Sequence, residues 1–171
     1  IGTSSFRREF QIKKIRNDLN CKLIRGNVDT RIKKLNEGFY DAIILSYAGI
    51  KSLNLNNHVS EIFSVENFIP SAGQGVIALQ YRENDIELIS VIKKMNHNET
   101  YLRAIAERNV LKILEGDCET AVGAHATIKD NKITLEAELF SLDGTKRFYE
   151  KKSCEIQQAK ELGNEVGQIL K

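Results

Sequence analysis

Basic residues are concentrated in one part of this sequence, and two arginines flank a predicted strand-to-helix turn there. The window from Arg7 to Lys34 holds ten basic and three acidic residues and carries +7, whereas the remaining residues carry −5. Arg25 and Gly26 follow a short predicted strand, and Arg31 lies one turn into the next predicted helix. Helix N-termini expose N–H groups to anions, and guanidinium groups bind carboxylate or phosphate in a bidentate manner. These residues predict a small anionic ligand, although an ordinary solvated surface accounts for most of the lysines and about half of the arginines.

A second turn of the same kind is predicted at residues 2–5, immediately before Arg7 and Arg8. Four guanidinium groups can then converge on one crevice at the edge of a parallel sheet, where ligands bind in open α/β folds. A phosphate or nucleic-acid ligand fits this pattern nearly as well as a carboxylate. A nucleic-acid binder would interleave aromatic side chains for base stacking, but Phe6 and Phe10 fit better as the apolar side of a helix.

The cysteines and histidines offer few other reactive groups. Cys118 lies in a turn after a predicted helix, where a thiol is accessible, although a lone cysteine is more often a small buried hydrophobe. Cys21 and Cys154 lie inside predicted strands and are expected in the core. Three widely spaced cysteines form neither a disulfide framework nor a CxxC pair, which indicates a reducing compartment. The three histidines lack metal-ligand spacing, so we expect no metal site.

The elements that must position these residues alternate in type over the first 53 residues. The apolar spacing predicts a helix over 6–19, a strand over 22–24, a helix over 27–37, a strand over 40–45 and a helix over 48–53. This alternation is typical of βαβ units with a parallel sheet. The nearly continuous apolar run over 40–45 predicts a strand buried on both faces.

The second half of the chain follows a different pattern. A turn-rich stretch over 54–75 predicts the crossing between structural units, and a strand over 76–81 and helices over 86–95 and 99–114 follow it. Apolar alternation then predicts antiparallel strands over 121–128, 133–142 and 146–156, and a closing helix over 157–170. No apolar run approaches the ~20 residues that a membrane-spanning helix needs, so we expect no membrane partner.

Several motifs occur together and in a fixed order. They are GTSSFRR (2–8), RGNVDTR (25–31), KLNEGFYDAIILSYAGIKSL (34–53), PSAGQGVIAL (70–79), AERNVLKILEGDC (106–118) and VGAHA (122–126). In combination they closely resemble the porphobilinogen deaminase family, the hydroxymethylbilane synthases, over essentially the whole chain.

The resemblance implies an α/β fold class. A periplasmic-binding-protein-like αβα domain over residues 1–72 contains the arginine-rich cleft. Residues 73–95 return to complete another domain, and residues 96–171 form a small α+β domain with a three-stranded antiparallel sheet, helices and the cofactor-carrying cysteine loop. The chain begins at Ile1, and we expect that most of the family's first domain is missing.

The resemblance also implies the chemistry. The family joins four porphobilinogen molecules into hydroxymethylbilane and releases ammonia, on a dipyrromethane primer that a thioether binds to a cysteine, here Cys118. The matching cofactor-binding residues besides that cysteine are Thr3, Ser4, Ser5, Arg7, Arg8, Arg25, Gly26 and Arg31. Of these, Arg7, Arg25 and Arg31 also bind substrate. The family's catalytic aspartate belongs to the missing part, so no catalytic residue is assigned in this chain.

Two departures from the family pattern concern the site. Asp117 and Glu119 replace the usual Gly and Gln beside the cysteine, and Ser52 stands where many members have an arginine. We expect the chain alone to be inactive unless the N-terminal domain joins it, in cis or as a separate chain.

The expected ligands are porphobilinogen and the growing pyrrole chain, without nucleic acid or membrane. We expect a monomer when complete, in the cytoplasm or alternatively in an organelle. The alternative function is a non-catalytic binding module for anionic small molecules.

Overall fold

A computed structural model describes residues 1–116 and 120–171 of the chain. The α-helices of this part are α1 (Phe6–Ile15), α2 (Val28–Asn36), α3 (Tyr47–Ser52), α4 (Ile86–Met95), α5 (Asn98–Ile113) and α6 (Ala159–Leu170). The β-strands are β1 (Val122–Lys129), β2 (Lys132–Phe140) and β3 (Arg147–Glu155), and single 3-10 turns occur at Asn56–His58 and Ile156–Gln158.

The chain folds into two compact units. Unit 1 contains residues 1–68, the described part of 117–122, and residues 139–147. Unit 2 contains residues 69–116, 123–138 and 148–171.

Three parallel segments form the centre of unit 1. Gly2 makes a parallel bridge to Lys22 on one side and to Ile43 on the other. The Gly2 N–H donates to the Ala42 carbonyl at 2.8 Å, and the Thr3 N–H donates to the Lys22 carbonyl at 3.1 Å. Gly2 suits the central position because a Cβ there would lie 2.9 Å from the Ile43 side chain. The expected parallel βαβ order is therefore confirmed, although each pairing is a single bridge.

The helices of unit 1 follow these segments closely. Ser5 caps α1, as a serine before an amphipathic segment predicts, because its hydroxyl accepts from the Arg8 N–H. The predicted extension of α1 to residue 19 is wrong, because Arg16 leaves the helical conformation and pairs with Asp18 at 2.7 Å. Asn27 caps α2, and its side chain accepts from the Thr30 N–H at 2.9 Å.

Three predicted strands are not formed. Over 22–24 only Lys22 makes a bridge. Over 40–45 only Ile43 makes a bridge, and its neighbours Ile44 and Leu45 stay half-buried, because the segment is paired on one side only among the described residues. Residues 76–81 belong to no strand and pair with no described segment. Ile77 is consequently 89% exposed.

Unit 2 contains an antiparallel sheet and a helix pair, as the sequence predicts. The sheet order is β1-β2-β3, and Asp130 and Asn131 adopt positive φ in the first hairpin turn, which a tight hairpin requires. Helices α5 and α6 pack closely because Gly163 presents no side chain: a Cβ there would lie 2.2 Å from the Ala106 carbonyl oxygen. Ala106 itself is fully buried.

A buried carboxylate joins three segments of unit 2. Glu107 of α5 is 5% exposed. Its Oε2 accepts from the Gly73 N–H at 2.7 Å, and its Oε1 accepts from the Ala126 N–H at 2.8 Å. In the same region the Ala124 N–H donates to the Pro70 carbonyl at 2.9 Å. These bonds fix the loop over 70–73 against α5 and β1.

Candidate anion-binding site

The parallel segments of unit 1 place three helix N-termini after their carboxyl ends. Residues 1–3 lead into α1, residues 22–24 lead into α2, and residues 42–44 lead into α3. Parallel segments end at a common edge, so the open N–H groups of α1 and α2 lie at one edge of the unit. The partial positive charge of helix N-termini favours anions there.

The first turn of the site consists of Thr3, Ser4 and Ser5. Thr3 is 4% exposed, and its Oγ1 accepts from the Ser5 N–H at 3.2 Å. The Ser5 hydroxyl accepts from the Arg8 N–H at 3.4 Å, which completes the helix cap. Ser4 is exposed between them. The sequence therefore leaves the Ser4 hydroxyl accessible at the start of α1, while Thr3 and Ser5 shape the backbone.

Arg8 crosses from α1 to the third parallel segment. Its Nη1 donates to the Ile44 carbonyl oxygen at 3.0 Å. Burial lowers the pKa of Arg8, and the positive charge of Arg31 lowers it further. Arg8 keeps its charge at neutral pH because the ordinary arginine pKa is far higher. Two cations that repel each other across a half-buried site favour a bound anion. Arg7, which precedes Arg8 on α1, is 6% exposed.

The second turn is formed by Arg25 and Gly26. Gly26 has φ +122, and a Cβ there would lie 2.7 Å from the Thr30 side chain, so only glycine fits without strain. Arg31 Nε donates to the Gly26 carbonyl at 2.8 Å. The Arg25 residue is exposed, and its carbonyl accepts from Lys34 Nζ at 3.0 Å. Lys34 was not predicted as part of the site, because the sequence does not show which backbone carbonyl a lysine in a basic run will bind.

The structure places the predicted cluster within one unit. Thr3, Ser4, Ser5, Arg7, Arg8, Arg25, Gly26 and Arg31 all belong to unit 1. We refer to these eight residues as the anion site. The remaining prediction, Cys118, lies outside the described residues. Arg31 donates to Gly26 within the anion site and Arg8 donates to Ile44 outside it, so part of their donor capacity is used by the backbone and part is left for a ligand.

The other polar motifs belong to unit 2. His97 caps α5 through Nδ1, and His125 Nδ1 lies 3.7 Å from Glu107 Oε1. The Gly73 N–H is bound by Glu107, so the Gly73-Gln74-Gly75 stretch is a turn held by a carboxylate. In the described ranges no group of three His, Cys, Asp or Glu side chains could hold a metal ion. No helix of those ranges has the length and hydrophobicity to cross a membrane.

The fold and the site define an α/β domain that gathers hydroxyl, guanidinium and N–H donors for an anionic ligand. Comparison with family models identifies residues 1–90 as matching "Porphobilinogen deaminase, dipyromethane cofactor binding domain". Residues 101–171 match "Porphobilinogen deaminase, C-terminal domain". The chain belongs to the porphobilinogen deaminase family.

Curated relatives named porphobilinogen deaminase align with nearly the whole chain. The protein of Syntrophobacter fumaroxidans is 37% identical over 99% of this chain and 55% of its own length. The protein of Coxiella burnetii strain RSA 493 is 42% identical over 99% of this chain and 55% of its own length. That of Desulforamulus reducens is 40% identical with the same coverage of both chains. The chain spans about half the length of the curated relatives it matches.

The donor set of the anion site fits the cofactor that the family model names. A dipyrromethane carries carboxylate side chains on its two pyrrole rings. Guanidinium groups, hydroxyls and helix N-termini are the donors that bind carboxylates most strongly. Since the positive charge of Arg31 helps to lower the pKa of Arg8, a carboxylate bound beside them relieves this repulsion.

Proposed function

We propose that this chain is the part of a porphobilinogen deaminase that binds the dipyrromethane primer and the growing pyrrole chain. The protein is then a transferase that joins four porphobilinogen molecules into hydroxymethylbilane with release of ammonia. The observation that carries this proposal is the Arg8–Arg31 cation pair at the helix N-termini of unit 1. Each added pyrrole carries carboxylates, so several guanidinium groups are needed along one cleft.

We propose Cys118 as the thioether attachment site of the primer, on the basis of the matching family motif. When bound, the primer supplies the free α-carbon of its terminal pyrrole, at which each new ring is added. The chain's own residues have separate tasks. Arg7, Arg25 and Arg31 bind the substrate carboxylates, and Arg8 with the hydroxyls of the first turn holds those of the primer. Fixed carboxylates align the reacting carbons, which lowers the entropic part of the barrier.

Arginines are poor proton carriers, because a guanidinium stays protonated near neutral pH. Loss of ammonia from porphobilinogen and loss of the pyrrole α-proton both need acid or base assistance. We therefore propose that a polypeptide segment corresponding to the remaining length of the relatives supplies this group. It acts in cis or as a separate chain, and this chain alone is inactive. The family's aspartate is the expected residue.

Exposed apolar residues in unit 2 support this proposal. Residues 76–81 expose Ile77 and Leu79, and the following helix α4 exposes Ile86, Val91 and Met95 at 80%, 55% and 67%. No residue of α4 is buried. Exposed apolar stretches of this kind mark surfaces that another polypeptide covers. The N-terminal polypeptide of the family is the proposed partner, and the complete protein is proposed to be a monomer.

The fold plan of unit 1 is also part of the proposal. We propose a periplasmic-binding-protein-like plan for unit 1, supported by its parallel bridges and by the helix that follows each segment. The domain limits at residues 1–72, 73–95 and 96–171 stay predictions.

An activity assay tests the proposed function. Ammonia and hydroxymethylbilane are measured from porphobilinogen, first with this chain alone and then with the family's N-terminal part added or fused. We expect product only in the second case, and a variant carrying Arg25→Ala and Arg31→Ala to form little. Binding of porphobilinogen without any product in the completed protein would instead favour the non-catalytic anion-binding module.

A further inference from the structure

The backbone of the Arg25–Gly26 turn is held by side chains of α2. Beyond the bridge at Lys22, residues 23–26 leave the parallel pairing. The Arg25 carbonyl then accepts from Lys34 Nζ at 3.0 Å, and the Gly26 carbonyl accepts from Arg31 Nε at 2.8 Å. Two positively charged side chains, one helical turn apart, thus bind two successive carbonyl groups.

A third side chain acts on the same stretch. The Tyr40 hydroxyl donates to the Leu23 carbonyl at 2.8 Å. Lys34 and Tyr40 are both half-buried. Charge-assisted hydrogen bonds of this length restrict the backbone more than neutral ones do. The turn therefore owes its conformation to residues remote in sequence and not to strand pairing.

These bonds determine where the peptide N–H groups point. Residues 1–116 and 120–171 contain no cis peptide bond, so in this turn each N–H lies opposite the carbonyl of the preceding residue. With the Arg25 carbonyl directed at Lys34, the Gly26 N–H is directed away from Lys34. With the Gly26 carbonyl directed at Arg31 Nε, the Asn27 N–H is directed away from that atom. Both N–H groups therefore point away from the side chains that bind this turn and are donors for an anion on that side.

We propose that Lys34 is a positioning residue of the anion site. Its ammonium group orients the Arg25–Gly26 peptide, so that the Arg25 guanidinium and the Gly26 N–H together meet one carboxylate of the substrate. This role rests on the proposed function. Lys34 acts through the turn and not by touching the ligand.

Lys33 provides a matched control for the loss of one positive charge. It is the neighbour of Lys34 on α2, its side chain is 76% exposed, and its ammonium lies 3.7 Å from Glu37. Lys33→Met and Lys34→Met remove the same charge from the same helix. Only Lys34→Met removes the bond to the Arg25 carbonyl. A long-range electrostatic effect would weaken binding equally in both variants.

The first measurement is porphobilinogen binding by the full chain, followed by calorimetry. We expect Lys34→Met to weaken binding about tenfold, the equivalent of one charge-assisted hydrogen bond. Lys33→Met stays within about twofold, and Lys34→Arg, which keeps a donor, recovers most of the affinity. In combination with Arg25→Ala, Lys34→Met adds little further loss, since both changes act on one contact. Equal losses from Lys33→Met and Lys34→Met, or full additivity with Arg25→Ala, would overturn the positioning role.

The second measurement needs no ligand. Backbone ¹⁵N relaxation reports the order of the Gly26 and Asn27 amides. In the unsubstituted chain and in Lys33→Met we expect order parameters S² of about 0.85 for these amides, typical of a rigid backbone. In Lys34→Met we expect S² to fall toward about 0.6. Unchanged amide order in Lys34→Met would contradict the proposal even where porphobilinogen binds. A rigid turn in a chain that binds no porphobilinogen would instead overturn the proposed function, and with it the role of Lys34 toward substrate.

Discussion

The Nη1 atom of Arg8 and the carbonyl oxygen of Ile44 are joined by a hydrogen bond of 3.0 Å. This bond ties the first turn of α1 to the carboxyl end of the third parallel segment, 36 residues away in sequence. Each parallel pairing in unit 1 is a single bridge, so side-chain bonds such as this one add connections between the segments. The guanidinium that we propose for binding the primer's carboxylates thus also connects two segments of unit 1.

Replacement of Arg8 by lysine keeps the charge and removes the planar donor that reaches Ile44. We expect Arg8→Lys to lower the free energy of unfolding by about 1–2 kcal/mol, since a charge-assisted bond at a half-buried carbonyl is lost. Urea denaturation measures this change. Arg16→Lys is the control, because Arg16 is exposed and forms an ion pair with nearby Asp18. Equal stability of the two variants would show that the Arg8 bond contributes nothing.

Arg25 is expected to act on binding and not on stability. It is exposed, so Arg25→Ala should change the unfolding free energy by less than about 0.5 kcal/mol. Loss of its guanidinium should weaken porphobilinogen binding about tenfold or more, measured by calorimetry. Arg31→Ala should weaken binding as well, and also loosen the Gly26 turn. Unchanged binding in both variants would remove these arginines from the site.

The Glu107 carboxylate is expected to be essential to unit 2 because both of its oxygens accept backbone N–H groups. Glu107→Gln keeps the shape but turns one acceptor into a donor that faces an N–H. We expect a loss of about 1–3 kcal/mol in unfolding free energy, from one buried donor left without a partner. Thermal denaturation of this variant beside Glu99→Gln, on the first turn of the same helix, measures it. A loss no larger than that of the control would contradict the account of this contact.

Helix α6 is expected to tolerate no side chain at Gly163. A Cβ there would lie 2.2 Å from the Ala106 carbonyl oxygen, so Gly163→Ala forces α5 and α6 apart. We expect a loss of about 1–3 kcal/mol in the free energy of unfolding. Gly49→Ala in α3 is the matched control, because its Cβ would meet only Val28 at 3.8 Å and alanine favours the helix by about 0.5–1 kcal/mol. A destabilising Gly49→Ala and a neutral Gly163→Ala would reverse this prediction.

Acid sensitivity should include a contribution from Asp143. Hydrogen bonds from Ser141 and Thr145 lower the pKa of Asp143 from 3.8 to about 2. A carboxyl with a lowered pKa in the folded state stabilises the fold above its unfolded pKa, and this contribution disappears as the pH falls through about 2. NMR titration should therefore give Asp143 a pKa well below the ordinary aspartate value. Asp143→Asn should flatten the loss of stability between about pH 4 and pH 2; an unchanged slope would contradict this.

Local signals in the sequence predicted much of this structure. The caps at Ser5 and Asn27 and the glycine in the 142–145 turn depend on neighbouring residues only, so the local sequence is enough to predict them. Apolar periodicity predicted α4, α5 and the three strands of the sheet within about two residues, close to the usual uncertainty of element ends.

Properties that depend on distant partners were not predictable. The run over 76–81 has strand-forming residues, but a strand needs a neighbour to pair with, and none of the described segments provides one. The bond from Lys34 to the Arg25 carbonyl spans nine residues and follows from the fold. In sequence, Glu107 looks like any other glutamate in a helix. Its burial and its two backbone partners become visible only in the packed structure.

The covalent state of Cys118 tests the central claim most directly. The protein is expressed with its complete coding sequence, beside a Cys118→Ser variant, and the intact masses of both are measured. We predict an increment equal to one dipyrromethane in the unsubstituted protein and none in Cys118→Ser, which would establish the family chemistry and the attachment residue together. No increment in either protein would contradict the assignment and favour a non-catalytic module that binds anionic small molecules.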